Sequence, residues 1–151
     1  MSGKRLYADS SFLVSCYLVD ANTAQAKAFL SRRPVSLIVT PLHELEVRNA
    51  LQLGVFRHVL TPEEAKAATV NINEDLRAGR LVKTVARWPA VFRIASRLSE
   101  RHAARTGTRS LDILHVAVAK TLRVNEFASF DGRQRALATA EGLTDVLASV
   151  S

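Results

Sequence analysis

The sequence is short of the residues that would let a small chain staple itself together or cross a membrane. Its one cysteine, Cys16, excludes an intrachain disulfide and a cysteine-based zinc cluster, and that usage fits a reducing cytoplasm. No apolar run reaches the roughly 18–20 residues of a membrane span, so a soluble protein is expected. The stretch from Phe12 to Val19, after Lys4 and Arg5, imitates a signal peptide. Asp9 interrupts its approach, and an apolar run of about eight residues reads as structure instead. Aromatics are few, with six Phe, two Tyr and one Trp, and none of the clustering that stacks RNA bases is present. Tyr7, Phe12, Phe92, Phe127 and Phe130 fall in apolar patterns that predict core, and Trp88, before Pro89, reads as a loop anchor. Acids are also scarce. Asp and Glu number 14 against 21 Lys and Arg, for a formal charge of +7 and a pI near 10.3, which points to a polyanionic partner.

What remains is an ordinary globular composition, 48% hydrophobic and 23% charged over 151 residues. That length predicts one domain spanning residues 1–151 with a single sizeable core. Leu6–Ala8, Ser36–Val39, Leu81–Val85, Phe127–Phe130 and Thr144–Leu147 read as strands separated by helix-length segments. The alternation predicts an α/β fold with a mostly parallel sheet. Helix boundaries are legible. Thr61-Pro62-Glu63-Glu64 forms a capping box with proline at the first helical position, and Gly79 supplies a stop. Thr40-Pro41 opens a helix with Gly54 near its end. Val91, Ile94, Ala95 and Leu98 recur at helical spacing until Gly107, and Ser110 reads as the cap of the next helix.

The placement of four acids carries the functional signal. Asp9 directly follows the first strand and Asp131 the fourth, and the carboxyl ends of parallel strands are where open α/β sheets bind ligands. Turn and N-cap roles are the ordinary use of Asp at such places. Glu46 is predicted near the middle of the apolar face of the Pro41–Leu53 helix, between Leu42, Leu53 and Ala50, with Glu44 pointing almost the opposite way. A carboxylate there needs a partner, an arginine or a cation, because desolvating it alone costs several kcal/mol. Leu111–Ala119 is apolar nearly all round and is interrupted by Asp112 and His115 on one strip. Asp112 falls in the first turn, where the helix dipole favours negative charge. For His115 the role of a satisfied core histidine competes with a site role, since one imidazole is a poor zinc signature. If the four acids converge, a hard divalent cation such as Mg²⁺ or Mn²⁺ relieves their mutual repulsion. Ser10, Ser11 and Ser129 flank two of them and suit either supporting hydrogen bonds or helix capping.

The order of these residues resembles the PIN-domain family, in particular the VapC-type toxin ribonucleases of toxin-antitoxin pairs. Asp9-Ser10-Ser11 after the first strand, Glu46-Val47-Arg48-Asn49-Ala50-Leu51 on a helix, Leu111-Asp112-Ile113-Leu114-His115-Val116-Ala117, and Phe127-Ala128-Ser129-Phe130-Asp131 carry the likeness across nearly the whole chain. The last has serine where the family has threonine. The resemblance implies a three-layer α/β/α fold with a central sheet of four to five strands. It also implies Mg²⁺-dependent hydrolysis of RNA to 5′-phosphate and 3′-hydroxyl ends, a cognate antitoxin and a homodimer. On it, Asp9, Glu46, Asp112 and Asp131 hold the metal and serve as catalytic residues, with Ser10, Ser11, Ser129 and His115 in support.

Arginines add a basic ridge. Arg93, Arg97, Arg101, Arg105 and Arg109 recur every four residues, the first four as a drifting stripe along one helix, and such a stripe either tracks a phosphate backbone or is a solvated face. Arg105, Arg109 and Arg133, beside two of the acids, are the candidate RNA contacts. Cys16 has no His-Asp neighbours and reads as packing. Nucleotide-binding glycine loops, a Gly-x-Ser-x-Gly elbow and a His-Glu-x-x-His helix are all missing. The competing class is a catalytically silent adaptor that binds RNA or protein on the same fold, its acids serving as caps and salt bridges. A phosphoacceptor domain would require an acid pair at the first strand and a late-strand lysine, and neither is present.

Overall fold

Short runs of branched and aromatic residues become strands, and the segments between them become helices, in a computed structural model that describes residues 3–148. The strands are β1 (Arg5–Ala8), β2 (Ser36–Val39), β3 (Leu81–Lys83), β4 (Glu126–Ala128) and β5 (Thr144–Asp145), in the order β3-β2-β1-β4-β5. Helices flank this five-stranded parallel sheet, so the α/β expectation holds.

Contacts divide the chain into two compact units, the first holding the described residues up to Arg5 and Ser10–Thr84, the second Leu6–Asp9 and the described residues from Val85. In the first, β2 and β3 pair in parallel with Leu37 opposite Leu81 and Val39 opposite Lys83. Its helices are α1 (Ser10–Tyr17), α2 (Thr23–Arg32), α3 (Pro41–Phe56) and α4 (Pro62–Arg77). Phe12 and Phe29 meet edge to face at 6.2 Å, an arrangement that adds about 0.5–1.5 kcal/mol beyond burial. The predicted capping box of α4 is present, with Thr61 and Glu64 exchanging hydrogen bonds at 2.9 and 3.1 Å. Helix α3 runs through Gly54 rather than stopping there. A Cβ at that position would come within 2.7 Å of the Leu60 side chain, which would have to shift to make room, and the turn is made instead by His58 at φ 57°.

In the second unit β1 pairs with β4 (Tyr7 opposite Phe127) and β4 with β5, both in parallel. The helices are α5 (Trp88–Leu98), α6 (Ala104–Thr106), α7 (Ser110–Thr121) and α8 (Gly132–Ala140). Leu6, Tyr7 and Ala8 are all buried, as expected of a strand covered on both faces. Tyr7 stacks on Phe127 at 5.6 Å.

Several boundaries differ from the sequence reading. Trp88 begins α5 rather than anchoring a loop, and Phe92, expected in the core, is 57% exposed. Strand β4 ends at Ala128 because the main-chain N–H of Asp131 turns back onto the Ser129 hydroxyl. Ser110 is the first residue of α7 and Arg109 takes the cap position, without a side-chain cap. The arginine stripe is broken by a π-helical turn at Ser99–Ala103, which widens the helix and shifts every later side chain around the axis.

Among the described residues, no helix is long and apolar enough to cross a membrane.

Candidate acid cleft and its supports

In the second unit, the N-terminal ends of α7 and α8 border one cleft of about 380 Å³, lined by Gly107, Thr108, Arg109, Asp112, Asp131, Gly132 and Arg133. Asp112 lies in the first turn of α7. Asp131 is the N-cap of α8, its Oδ1 accepting the main-chain N–H of Gln134 at 2.9 Å. Both carboxylates sit where a helix dipole favours negative charge. The second oxygen of Asp131 receives no hydrogen bond among the described residues. Gly107 closes the preceding helix at φ 65°, and a Cβ there would lie 3.6 Å from the Arg133 guanidinium.

Asp9 follows β1 as predicted and is 2% exposed, its main-chain N–H bonded to Ala128 O at 3.1 Å. Its Oδ2 is 3.4 Å from the Ser129 hydroxyl, which also contacts Gln134 Oε1 at 2.7 Å. Ser129 therefore links Asp9 to the base of α8. His115 is a buried core histidine, its Nδ1 2.8 Å from the Tyr7 hydroxyl.

Glu46, in the first unit, differs from the helical-wheel expectation. The buried stripe of α3 is His43, Val47 and Leu51, while Leu53 is 37% exposed. That stripe lies about a quarter turn from the predicted one. His43 makes the difference. Its Nδ1 accepts the Thr40 main-chain N–H at 3.1 Å, a satisfied polar group that can be buried without penalty. Glu46 is half-buried on the flank and accepts the Ser10 hydroxyl at 3.0 Å. With Ser10, Ser11 and Asp20 it lines a cleft of about 340 Å³. Asp20 is committed there to Ser15, Asn22 and Thr23. Glu44 is paired with Lys83 at 2.8 Å.

Among the described residues, no three His, Cys, Asp or Glu side chains are grouped closely enough to hold a metal ion. The cleft still suits a hard cation: its donors are carboxylate oxygens, one of them uncommitted, and Mg²⁺ keeps several waters and needs only one or two carboxylates at a time.

The candidate RNA contacts divide. Arg109 and Arg133 line the acid cleft, whereas Arg105 bonds back to the Arg101 main-chain carbonyl at 3.1 Å. Arg101 itself reaches Glu141. Burial pushes the Cys16 thiol up to about 12, so it stays protonated and unreactive. Sequence reasoning missed Gln134, a polar residue in an undistinguished helical run.

The sequence model for the PIN domain matches residues 6–140. Two solved structures are similar to this chain. The crystal structure of Mycobacterium tuberculosis VapC20, a sarcin-ricin loop cleaving toxin, superposes with a TM-score of 0.66 at 20% identity, over 93% of this chain and 98% of that one. That of FitAcB from Neisseria gonorrhoeae gives 0.57 at 18% identity, over 89% and 93%. No curated protein matches the sequence significantly.

Proposed function

Because the chain belongs to the PIN domain family, we propose that it is a metal-dependent endoribonuclease, the toxin of a type II toxin-antitoxin pair. The observation that carries this reading is the cleft on which Asp112 and Asp131 meet Arg109 and Arg133. Carboxylates and guanidiniums on one open surface suit a substrate made of phosphates, and the carboxylates would suit a hard divalent ion. A similar structure is described as a toxin that cleaves the sarcin-ricin loop, and a charge of +7 favours a polyanion.

In this reading Asp112 and Asp131 present oxygens to Mg²⁺ or Mn²⁺, with Asp9 and Glu46 as the further ligands that the family resemblance implies. The chemistry such an ion supplies when bound is a lowered pKa for the attacking water and neutralisation of charge on the phosphate. Arg109 and Arg133 draw the RNA backbone to the cleft. Ser129 fixes the turn that carries Asp131, and Ser10 orients the Glu46 carboxylate. A cognate antitoxin, a homodimer and a cytoplasmic setting complete the proposal and rest on the resemblance.

The rival reading is a silent RNA- or protein-binding adaptor, in which the acids serve only as caps and ion-pair partners, as Asp131 does for α8 and Glu44 for Lys83. Gel-based cleavage of a labelled RNA, with and without chelator, separates the two. Asp112→Asn and Asp131→Asn should lower Mg²⁺-dependent cleavage at least about a hundredfold while thermal melting stays cooperative, and Glu46→Gln should do likewise. Cleavage that survives both chelation and these substitutions sinks the nuclease reading, and RNA binding without turnover in the wild type establishes the adaptor.

A further inference from the structure

One fully buried side chain, Gln134 at 0% exposure, stands behind the acid cleft with every polar group in use. Its Oε1 accepts the Ser129 hydroxyl at 2.7 Å, and its Nε2 donates to the main-chain carbonyl of Asp112 at 3.2 Å. Its main-chain N–H donates to Asp131 Oδ1 at 2.9 Å. The Ser129 hydroxyl in turn accepts the Asp131 main-chain N–H at 3.0 Å. That hydroxyl has one proton to give. The shorter contact places it on Gln134, leaving the 3.4 Å approach to Asp9 Oδ2 as the weaker one.

An enclosed amide is costly unless satisfied, and an apolar residue would fill the same space in α8 without that cost. The N-cap bond does not call for a glutamine side chain here, because Gln134 contributes only its main-chain N–H to the Asp131 carboxylate. What the amide adds is a cross-tie. It holds the first turn of α7, which carries Asp112, to the end of β4 and the start of α8, which carry Ser129 and Asp131. Satisfied buried networks of this kind rigidify what they connect. We infer that Gln134 is a positioning residue, whose buried amide sets the spacing of Asp112 and Asp131 so that both can serve one divalent cation. The inference rests on the metal-dependent reading above and extends it to a residue that touches neither ion nor RNA.

The test uses the full chain and Mn²⁺ alone, with the dissociation constant read from the paramagnetic resonance of free Mn²⁺ and no RNA present. Gln134→Leu should weaken Mn²⁺ about tenfold or more, the size expected when a metal ligand loses its outer support. Ala138→Gly, in the same helix but outside the network, should lower the melting temperature and leave Mn²⁺ affinity unchanged. Ser129→Ala should weaken Mn²⁺, and Ser129→Thr, which keeps the hydroxyl, should restore it. Should Gln134→Leu not fold, the Ser129 pair decides, and equal affinities for the two variants overturn the inference. Asp112→Asn separates the two levels of the argument. If it binds Mn²⁺ as tightly as wild type, the metal reading itself is wrong; if it loses Mn²⁺ while Gln134→Leu keeps it, only the positioning role is lost.

Discussion

Helix α8 has an acid at each end, and the two are treated oppositely. At its C-terminal end Glu141 is surrounded by hydrogen-bonding partners. Oε1 accepts Lys120 at 2.7 Å, and Oε2 accepts His102 at 2.7 Å and Arg101 at 3.3 Å. Burial opposes its ionisation, but the hydrogen bonds from Lys120 and His102 and the charges of Lys120 and Arg101 outweigh that and hold its carboxyl at about 2. At the N-terminal end Asp131 has one oxygen on the Gln134 main chain and the other uncommitted among the described residues, facing a cleft. A saturated carboxylate is a structural tie, because nothing further can bind it without breaking a bond already made. An under-satisfied one at a helix N-terminus is available to a ligand. Within one short helix, the contrast is between an acid held by the fold and an acid with an oxygen left for a ligand.

Three measurements sharpen or break that contrast. The largest stability effect is expected for Glu141→Gln, which leaves Lys120, His102 and Arg101 without their anion and should cost about 2 kcal/mol in urea unfolding, with RNA cleavage by the folded protein unchanged. Lost cleavage at full stability would erase the distinction between the two ends. A smaller effect appears in the pH dependence. Since the folded carboxyl of Glu141 titrates below its ordinary 4.5, its contribution is fully present above that value and is lost as pH falls towards about 2. Wild type should therefore lose stability more steeply than Glu141→Gln over that window, and parallel curves would contradict the assignment. The smallest effect is expected for Asp131→Asn. Asparagine caps a helix as well as aspartate, so stability should stay within about 0.5 kcal/mol while metal-dependent cleavage disappears.

Much of the architecture could be read from the chain. Ser36–Val39 is a strand as expected, and Thr40-Pro41 and Thr61-Pro62 start helices where their caps predict. Asp9 and Asp131 stand just past the ends of β1 and β4 because apolar runs followed by small polar residues mark where strands stop. The wheel for α3 failed because it ranked residues by hydrophobicity, and a histidine satisfied by Thr40 is buried as readily as a leucine. The π-helical turn at Ser99–Ala103 left no trace either, since the arginines continue at four-residue intervals straight through it.

The linear order of residues by itself determined the α/β alternation, the helix starts and the position of each acid along the chain, because strand runs, caps and turns are governed by neighbours a few residues away. Which acids are saturated and which are left open was decided only by the tertiary structure. Gln134, Lys120 and His102 lie far along the sequence from some of the groups they satisfy, and hydrogen bonding in a buried site depends on angstrom-scale geometry that no local pattern encodes.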